Sequence, residues 1–331
     1  MRSVDVLIPF HSESEFLWEA IDSILDSRGV SIRLLLINDM QDHANALKFQ
    51  EQIEKRLKLA NVAYLVIRNQ GRSYATSLNA CRNHIEGDFV AILNSDDLSA
   101  PERLRLQTQA LEATGADVAV GNIVKFHGKL RLPSVSGHLK PSSFKWEHLL
   151  IGAYGSDASV VATKEIWLEH FRFDEVRRSS DWATALKVYP LLKITGADRA
   201  VYKYRIHGQQ VTQSKNQISD DFLSYFPDWI RLNNSLGLPD VSPNVARALS
   251  QPWVKQKLRK DEFKIMKQWC SMFRELQSDS PGSNETKSLL DRRLIISGSI
   301  LFRVTQKPLL FSRMVLEYVY TRTIGSQTRS L

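Results

Sequence analysis

Within the first 121 residues, five short apolar runs alternate with stretches of helical period. The runs are VDVLI (4–8), IRLLLI (32–37), VAYLVI (62–67), FVAIL (89–93) and DVAVG (117–121). Near-continuous apolar runs of this length read as strands covered on both faces. Between them, Phe16, Leu17, Ala20, Ile21, Ile24 and Leu25 mark one face of residues 13–27. Ile53 and Leu57 mark a helix at about 43–59, and Leu78, Cys81 and Ile85 a third. Pro101, followed by Leu104 and Leu111, opens a fourth, with Ser99 as its expected cap. The alternation predicts an α/β fold: a three-layer α/β/α arrangement around a mostly parallel sheet.

In such sheets ligands bind beyond the carboxyl ends of the strands. The polar residues that stand out cluster there: Pro9, His11 and Glu13 after the first run, Asn38 and Asp39 after the second, Arg68, Gly71 and Arg72 after the third, and Asn94, Ser95, Asp96 and Asp97 after the fourth. Adjacent Asp96 and Asp97 before a helix have two readings. One is a solvated turn that caps the helix. The other is a Mg²⁺ or Mn²⁺ site, since these ions take oxygen ligands and complete their shells with water and phosphate. Asp39 either caps the helix near 43, together with Asp42, or accepts hydrogen bonds from a nucleoside. Arg68 and Arg72 around a glycine suit phosphate. Neither GxGxxG nor GxxxxGK[ST] occurs, which argues against a nicotinamide dehydrogenase or an ATPase.

Beyond residue 121 the rhythm breaks. Residues 125–143 read as an irregular or hairpin excursion, 157–163 and 200–206 as strands, and 164–170 and 180–188 as helices. Asp181 begins the last of these, either as a cap that favours the helix dipole or as a general base. Trp146 and Trp182 are core residues or a stacking surface for a sugar. In KYRIHGQQ (203–210), Arg205 and His207 project from one side of a strand and could neutralise a diphosphate. From about 218 the chain reads as helical at 219–235, 251–277 and 285–320. The expected organisation is a catalytic domain over 1–215 and a mostly helical region over 216–331.

Charge divides further along the chain. Of the net +8, all lies in residues 251–331, where 15 Lys and Arg face 7 Asp and Glu. Such a tail suits anionic lipid, a polyanionic acceptor or an acidic partner. With no zinc-finger or RNA-binding motif, nucleic acid is not an expected partner. Two distant cysteines, Cys81 and Cys270, and the lack of a signal-peptide pattern or an apolar span lead to a cytoplasmic expectation, with peripheral contact at the inner face of a membrane as an option for the tail.

Taken in order, VDVLIPFHSESEFLWEAIDSIL, LLLINDM, RNQGRSYATSLNACRNHIEGDFVAILNSDDLSAPERL, FDEVRRSSDWATALKV and YRIHGQQVTQS resemble the inverting glycosyltransferases of family 2 over about residues 3–215. The resemblance implies the A-type nucleotide-diphospho-sugar transferase fold, a nucleotide-diphospho-sugar donor, and Mn²⁺ or Mg²⁺. It implies that Asp39 contacts the nucleoside, Asp96 holds the cation and diphosphate, and Asp181 deprotonates an acceptor hydroxyl, with inversion. By the same likeness the acceptor is a glycan or a lipid-linked glycan. Two positions depart from the family pattern: Asn94 stands where an acid is usual, and Ser180 replaces the Glu beside the base. A non-catalytic carbohydrate-binding or scaffold protein on a degenerate transferase fold is the alternative. A nucleotidyltransferase would want a basic glycine-rich loop where this chain has PFHSESE.

Overall fold

The structure is a computed structural model that describes residues 2–69, 73–128, 130–131, 139–152, 157–175, 180–208, 218–251, 258–280 and 282–305. The chain divides into two compact units. The first holds Met1–Val135, Leu139–Leu149 and Tyr154–Asp228; the second holds Ser136–His138, Leu150–Ala153 and Trp229–Leu331.

The first unit is built on one sheet. Its strands are β1 (Ser3–Phe10), β2 (Ser31–Asn38), β3 (Ala63–Arg68), β4 (Phe89–Ile92), β5 (Leu98–Ser99), β6 (Val118–His127), β7 (Leu130–Arg131), β8 (Val160–Thr163) and β9 (Ile194–Arg205), in the order β3-β2-β1-β4-β8-β6-β9-β5, with β7 on β6. The first four sequence runs form the parallel half, β3-β2-β1-β4, with Val6 opposite Leu34 and Ala91. There the expectation of parallel pairing holds because helices connect the strands. Helix α1 (Glu15–Leu25) is capped by Ser14, which accepts from Leu17 N, and buries Leu17, Ala20, Ile21 and Ile24. Helix α2 (His43–Leu59) buries Ala46, Phe49, Ile53 and Leu57, and helix α3 (Tyr74–Ala80) starts at a Ser73–Thr76 capping box.

The sheet as a whole is mixed, which corrects the expected mostly parallel one. Strand β8 runs antiparallel to both β4 and β6, and β5 runs antiparallel to β9. Among the described residues, the chain between β7 and β8 carries only 3₁₀ turns and no α-helix, and β5 follows β4 after a turn of five residues. The segment between β4 and β5 also shows that the sheet curls. Three strands lie between the two in the sheet order, a distance of about 19 Å if flat. Residues 93–97 would have to run almost fully extended to cover it, yet Asp97 N donates to Asn94 O at 3.2 Å and closes a turn. The curl brings β5 to α1, where Ser99 N donates to Ser23 Oγ at 3.0 Å.

Local expectations are corrected in several places. Ser99 lies in β5 and caps nothing; helix α4 (Arg103–Thr114) begins after Glu102 without a side-chain cap. Residues Asp157–Ser159 form a 3₁₀ turn ahead of β8 rather than part of a strand. Strand β9 is twelve residues long because its partner β6 extends the ladder, with a register shift at Gly121/Asn122. Helix α5 (Lys164–His170) and helix α6 (Ser180–Val188) fall at the expected positions.

After helix α7 (Ile218–Ser235), the second unit carries α8 (Pro243–Ser250), α9 (Lys260–Leu276) and α10 (Ser283–Thr305). Its core is aromatic. Trp269 stacks on Phe273 with ring centroids 4.9 Å apart, and its indole N–H donates to Asn233 Oδ1 at 2.6 Å. Among the described residues, no helix is long and apolar enough to cross a membrane. Residues 306–331, the last part of the basic tail, lie outside the described residues.

Candidate active site

The turn after β4 treats its two carboxylates differently. Asp97 is fully buried: Oδ1 accepts from Arg205 N at 2.7 Å, and Oδ2 accepts from the Tyr202 hydroxyl at 2.6 Å and Asn94 Nδ2 at 3.3 Å. Burial, with the neighbouring Asp96 charge, pushes its pKa up to about 7 against those stabilising bonds. Asp96 instead points outward, its side chain one-third exposed, with His207 Nε2 at 3.0 Å from Oδ2. The adjacent pair is therefore neither a helix cap nor a twin ligand. Asp97 anchors the turn inside the sheet, and the anchor presents Asp96 at its mouth.

Arg205 braces the same turn from β9. Its Nε donates to Asp96 O at 2.8 Å and its Nη2 pairs with Glu19 on α1. Its guanidinium lies over Phe16 and Phe126, with centroids 4.5 and 4.8 Å away. Phe16 also packs on His207, ring centroids 4.9 Å apart. Arg205 is thus held by protein groups, while the His207 imidazole stands beside the exposed carboxylate.

At the end of β2, Asp39 is buried but not as a cap. Asp42 caps α2 by accepting from Asn45 N at 3.1 Å. Asp39 Oδ1 accepts from Asn69 Nδ2 at 2.8 Å, and its Oδ2 accepts from the Ser77 hydroxyl. Arg68 Nη1 donates to Asn38 O and Oδ1 at 3.1 and 3.2 Å, so this end of Arg68 is committed to the strand edge. Asn38 in turn donates to Ala46 O at 3.2 Å and ties β2 to α2.

A third group surrounds Tyr74 at the start of α3. Its hydroxyl lies 2.8 Å from Asp157 Oδ2 and 3.2 Å from Asn94 Oδ1, with one hydrogen to share between them. Burial holds the phenol pKa well above its usual value, and the charges of Asp157, Asp181 and Asp97 push it the same way. Asp181, half-buried in the first turn of α6, thus acts on the same hydroxyl that touches Asn94.

The structure brings Asn94, Asp96, Arg205 and His207 into one cluster and sets Asp39 and Arg68 at neighbouring strand ends. Ser95 is half-buried in the turn itself, and Pro9 is buried opposite Ile37. His11 and Glu13 are exposed after β1. Gly71 and Arg72 lie outside the described residues, as does the Ser180 side chain. Trp182 is half-buried 6.5 Å from the Tyr225 ring. Sequence reasoning missed Tyr74, Asp157, Tyr202 and Arg103. For Arg103 a signal exists: with Gln107 it shares the helical spacing of Leu104 and Leu111, so both polar side chains fall on the buried face.

Among the described residues, no group of three or more His, Cys, Asp or Glu side chains gathers to hold a metal ion. A cation of the Mg²⁺ or Mn²⁺ type needs fewer, because water and phosphate complete its shell. The Asp96 carboxylate with an imidazole alongside fits such an ion; buried Asp97, with both oxygens occupied, does not.

Residues 5–158 match the sequence model of glycosyl transferase family 2. Glycosyltransferase GlyA of Streptococcus pneumoniae is 22% identical over 221 residues, covering 61% of this chain and 30% of that protein. The chain spans about a third of the length of the first curated relatives it matches. Among solved structures, S. aureus TarS 1-349 in complex with UDP-GlcNAc aligns over 90% of this chain and 91% of its own, with a TM-score of 0.54 at 13% identity. The mannosyltransferase PcManGT from Pyrobaculum calidifontis, in complex with GDP-Man and Mn²⁺, aligns over 90% and 86%, with a TM-score of 0.52 at 12% identity. These last two likenesses are of fold. The matched residues hold both the parallel half of the sheet and the turn at Asn94–Asp97, and it is this part of the chain, residues 5–158, that is identified with glycosyl transferase family 2.

Proposed function

We propose that the first unit is a glycosyltransferase that moves a sugar from a nucleotide-diphospho-sugar to an acceptor hydroxyl, with inversion. The observation that carries this reading is the division of labour at Asp96 and Asp97: one carboxylate locked beneath the turn, the other exposed beside His207. In this reading Asp39, fixed by Asn69 and Ser77, accepts hydrogen bonds from the nucleoside. Asp96 and His207 hold Mn²⁺ or Mg²⁺ and the diphosphate. The bound ion supplies charge neutralisation for the departing diphosphate. Asp181 removes the proton from the acceptor hydroxyl, which is otherwise a poor nucleophile. The complexes of TarS with UDP-GlcNAc and of PcManGT with GDP-Man and Mn²⁺ support this choice of donor and ion. A glycan or lipid-linked glycan is the acceptor class we favour by family likeness, with the catalytic region over 1–215.

The test is turnover of a panel of labelled sugar nucleotides with Mn²⁺, by wild type and by Asp181→Asn. Nucleoside diphosphate release from one donor, lost in the variant, supports the reading. Binding of a sugar nucleotide with no transfer or hydrolysis on any donor would leave a carbohydrate-binding protein on a transferase fold. No binding at all would sink the donor site.

A further inference from the structure

One buried cation has no part in the chemistry above. Arg103, on α4, is fully buried, and the structure spends its fork on backbone of two separate segments. Its Nη1 and Nη2 both donate to Ile92 O at 3.3 Å, two residues before Asn94, and Nη2 also donates to Ala158 O beside Asp157. Its Nε donates to Gln107 Oε1 at 3.1 Å, and Gln107 Nε2 reaches Ala119 O and Ser159 O at 2.7 and 2.8 Å. The guanidinium carbon lies 4.9 Å from the Tyr202 ring centroid.

These contacts close a circuit. From Arg103 the path runs through Ala158 to Asp157, across to the Tyr74 hydroxyl and on to the Asn94 amide. Asn94 then donates to Asp97, which accepts from Tyr202, whose ring lies under Arg103. Every link is a hydrogen bond, a peptide bond or a cation–ring contact between buried or half-buried groups. A closed chain of this kind fixes the orientation of each member more firmly than any one bond does. The Asn94 amide is the member with most at stake, since turning it would face its oxygen to Asp97 and its nitrogen to Tyr74. The positive charge of Arg103 also supports the buried Asp97 carboxylate, as Tyr202 and Asp97 in turn hold up the Arg103 pKa against a burial that lowers it to about 10.

We infer that Tyr74 and Arg103 are positioning residues for the donor site: through this circuit they hold Asn94 and Asp97 so that Asp96 is presented to the diphosphate. The inference rests on the transferase reading. It adds a mechanical link between the donor motif and Asp157, in the neighbourhood of Asp181, that no direct contact of Asp96 provides.

The test is a double-mutant cycle on two hydroxyls at opposite sides of the circuit, Tyr74→Phe and Tyr202→Phe. Each change keeps the ring and removes one oxygen. Titrating UDP, GDP, CDP, ADP and dTDP with Mn²⁺ onto wild type identifies the ligand, and urea unfolding tracks the fold separately. We expect each single variant to weaken binding about tenfold, the size of one buried hydrogen bond. Because the two act on one circuit, the double variant should also fall near tenfold rather than about a hundredfold. Arg103→Lys, which keeps the charge and loses the fork, should weaken the same ligand. Binding unchanged in folded single variants, or losses that simply multiply, would overturn the positioning role and leave the transferase reading standing. Failure of wild type to bind any of the five diphosphates would overturn both.

Discussion

His207 Nε2 lies 3.0 Å from Asp96 Oδ2, although 111 residues separate them in the chain. The contact exists because β9 ends where the turn after β4 crosses the curl of the sheet, and Arg205, two residues before His207, bonds both Asp96 O and Asp97 Oδ1. Replacing Asp96 should therefore harm function far more than folding. In Asp96→Asn, we expect Mn²⁺-dependent binding of a nucleoside diphosphate to fall at least about tenfold, while the unfolding free energy moves by no more than about 1 kcal/mol, as for a partly exposed pair. Calorimetric titration beside urea unfolding checks both halves. A large loss of stability with binding intact would contradict the assignment.

Asn94, the departure from an acidic position, has a role of its own. Its amide nitrogen is the donor that faces Asp97 Oδ2 at 3.3 Å. Asn94→Asp places a second carboxylate against one already pushed up to about 7 by burial and by Asp96. We expect a loss of about 1–3 kcal/mol from the unmet charge. Repulsion grows as both groups ionise, so the penalty should be larger at about pH 8 than at about pH 5.5. Urea midpoints at the two values measure it; an unchanged or improved midpoint at the higher pH would show that Asn94 is not needed there.

For Asp181, the expected signature is a split between turnover and binding. A base contributes about 10²–10⁴ in rate, so Asp181→Asn should lose turnover on that scale. Nucleoside diphosphate affinity should stay within about twofold, since removing a base that acts only in the transition state leaves ground-state binding alone. Loss of affinity on the same scale as turnover would place Asp181 on the donor side instead.

His148 predicts how the fold responds to acid. It is fully buried, its Nδ1 accepts from Lys145 N at 2.9 Å, and burial pulls its pKa down to about 4. The unfolded chain takes up a proton near pH 6.5 that the folded chain resists until about pH 4. This contribution to stability is full above pH 6.5 and is lost as pH falls between those values, to a limit of ~3 kcal/mol. Comparing denaturation of wild type and His148→Gln across this window should show a shallower acid slope in the variant. Identical slopes would assign the acid loss to other groups.

Much of the first half was legible because its signals are local. The apolar runs that became β1 to β4, the Pro101–Leu111 period and the polar residues at strand ends follow from side-chain periodicity and turn chemistry. The mixed half was not legible in the same way. A run such as VVAT (160–163) carries no mark of direction, and its antiparallel pairing with β4 and β6 is seen only in the tertiary structure. Helix α8 is absent from the sequence expectation, although Ser242 caps it and Pro243 opens it.

The candidate site divides along the same line. Sequence alone determined which residues stand at the ends of the parallel strands: Asp39, Arg68, Asn94 and Asp96 close or follow the apolar runs that form β2, β3 and β4, although β3 is only half-buried. It could not decide which of Asp96 and Asp97 faces out, nor that Asp39 is held by Asn69 and Ser77 while Asp42 does the capping. Those outcomes depend on partners 30 to 111 residues away. A buried carboxylate is tolerated only where donors converge on it, and the convergence of Tyr202, Arg205 and Asn94 on Asp97 exists only once β9 has closed against β6 and the sheet has curled.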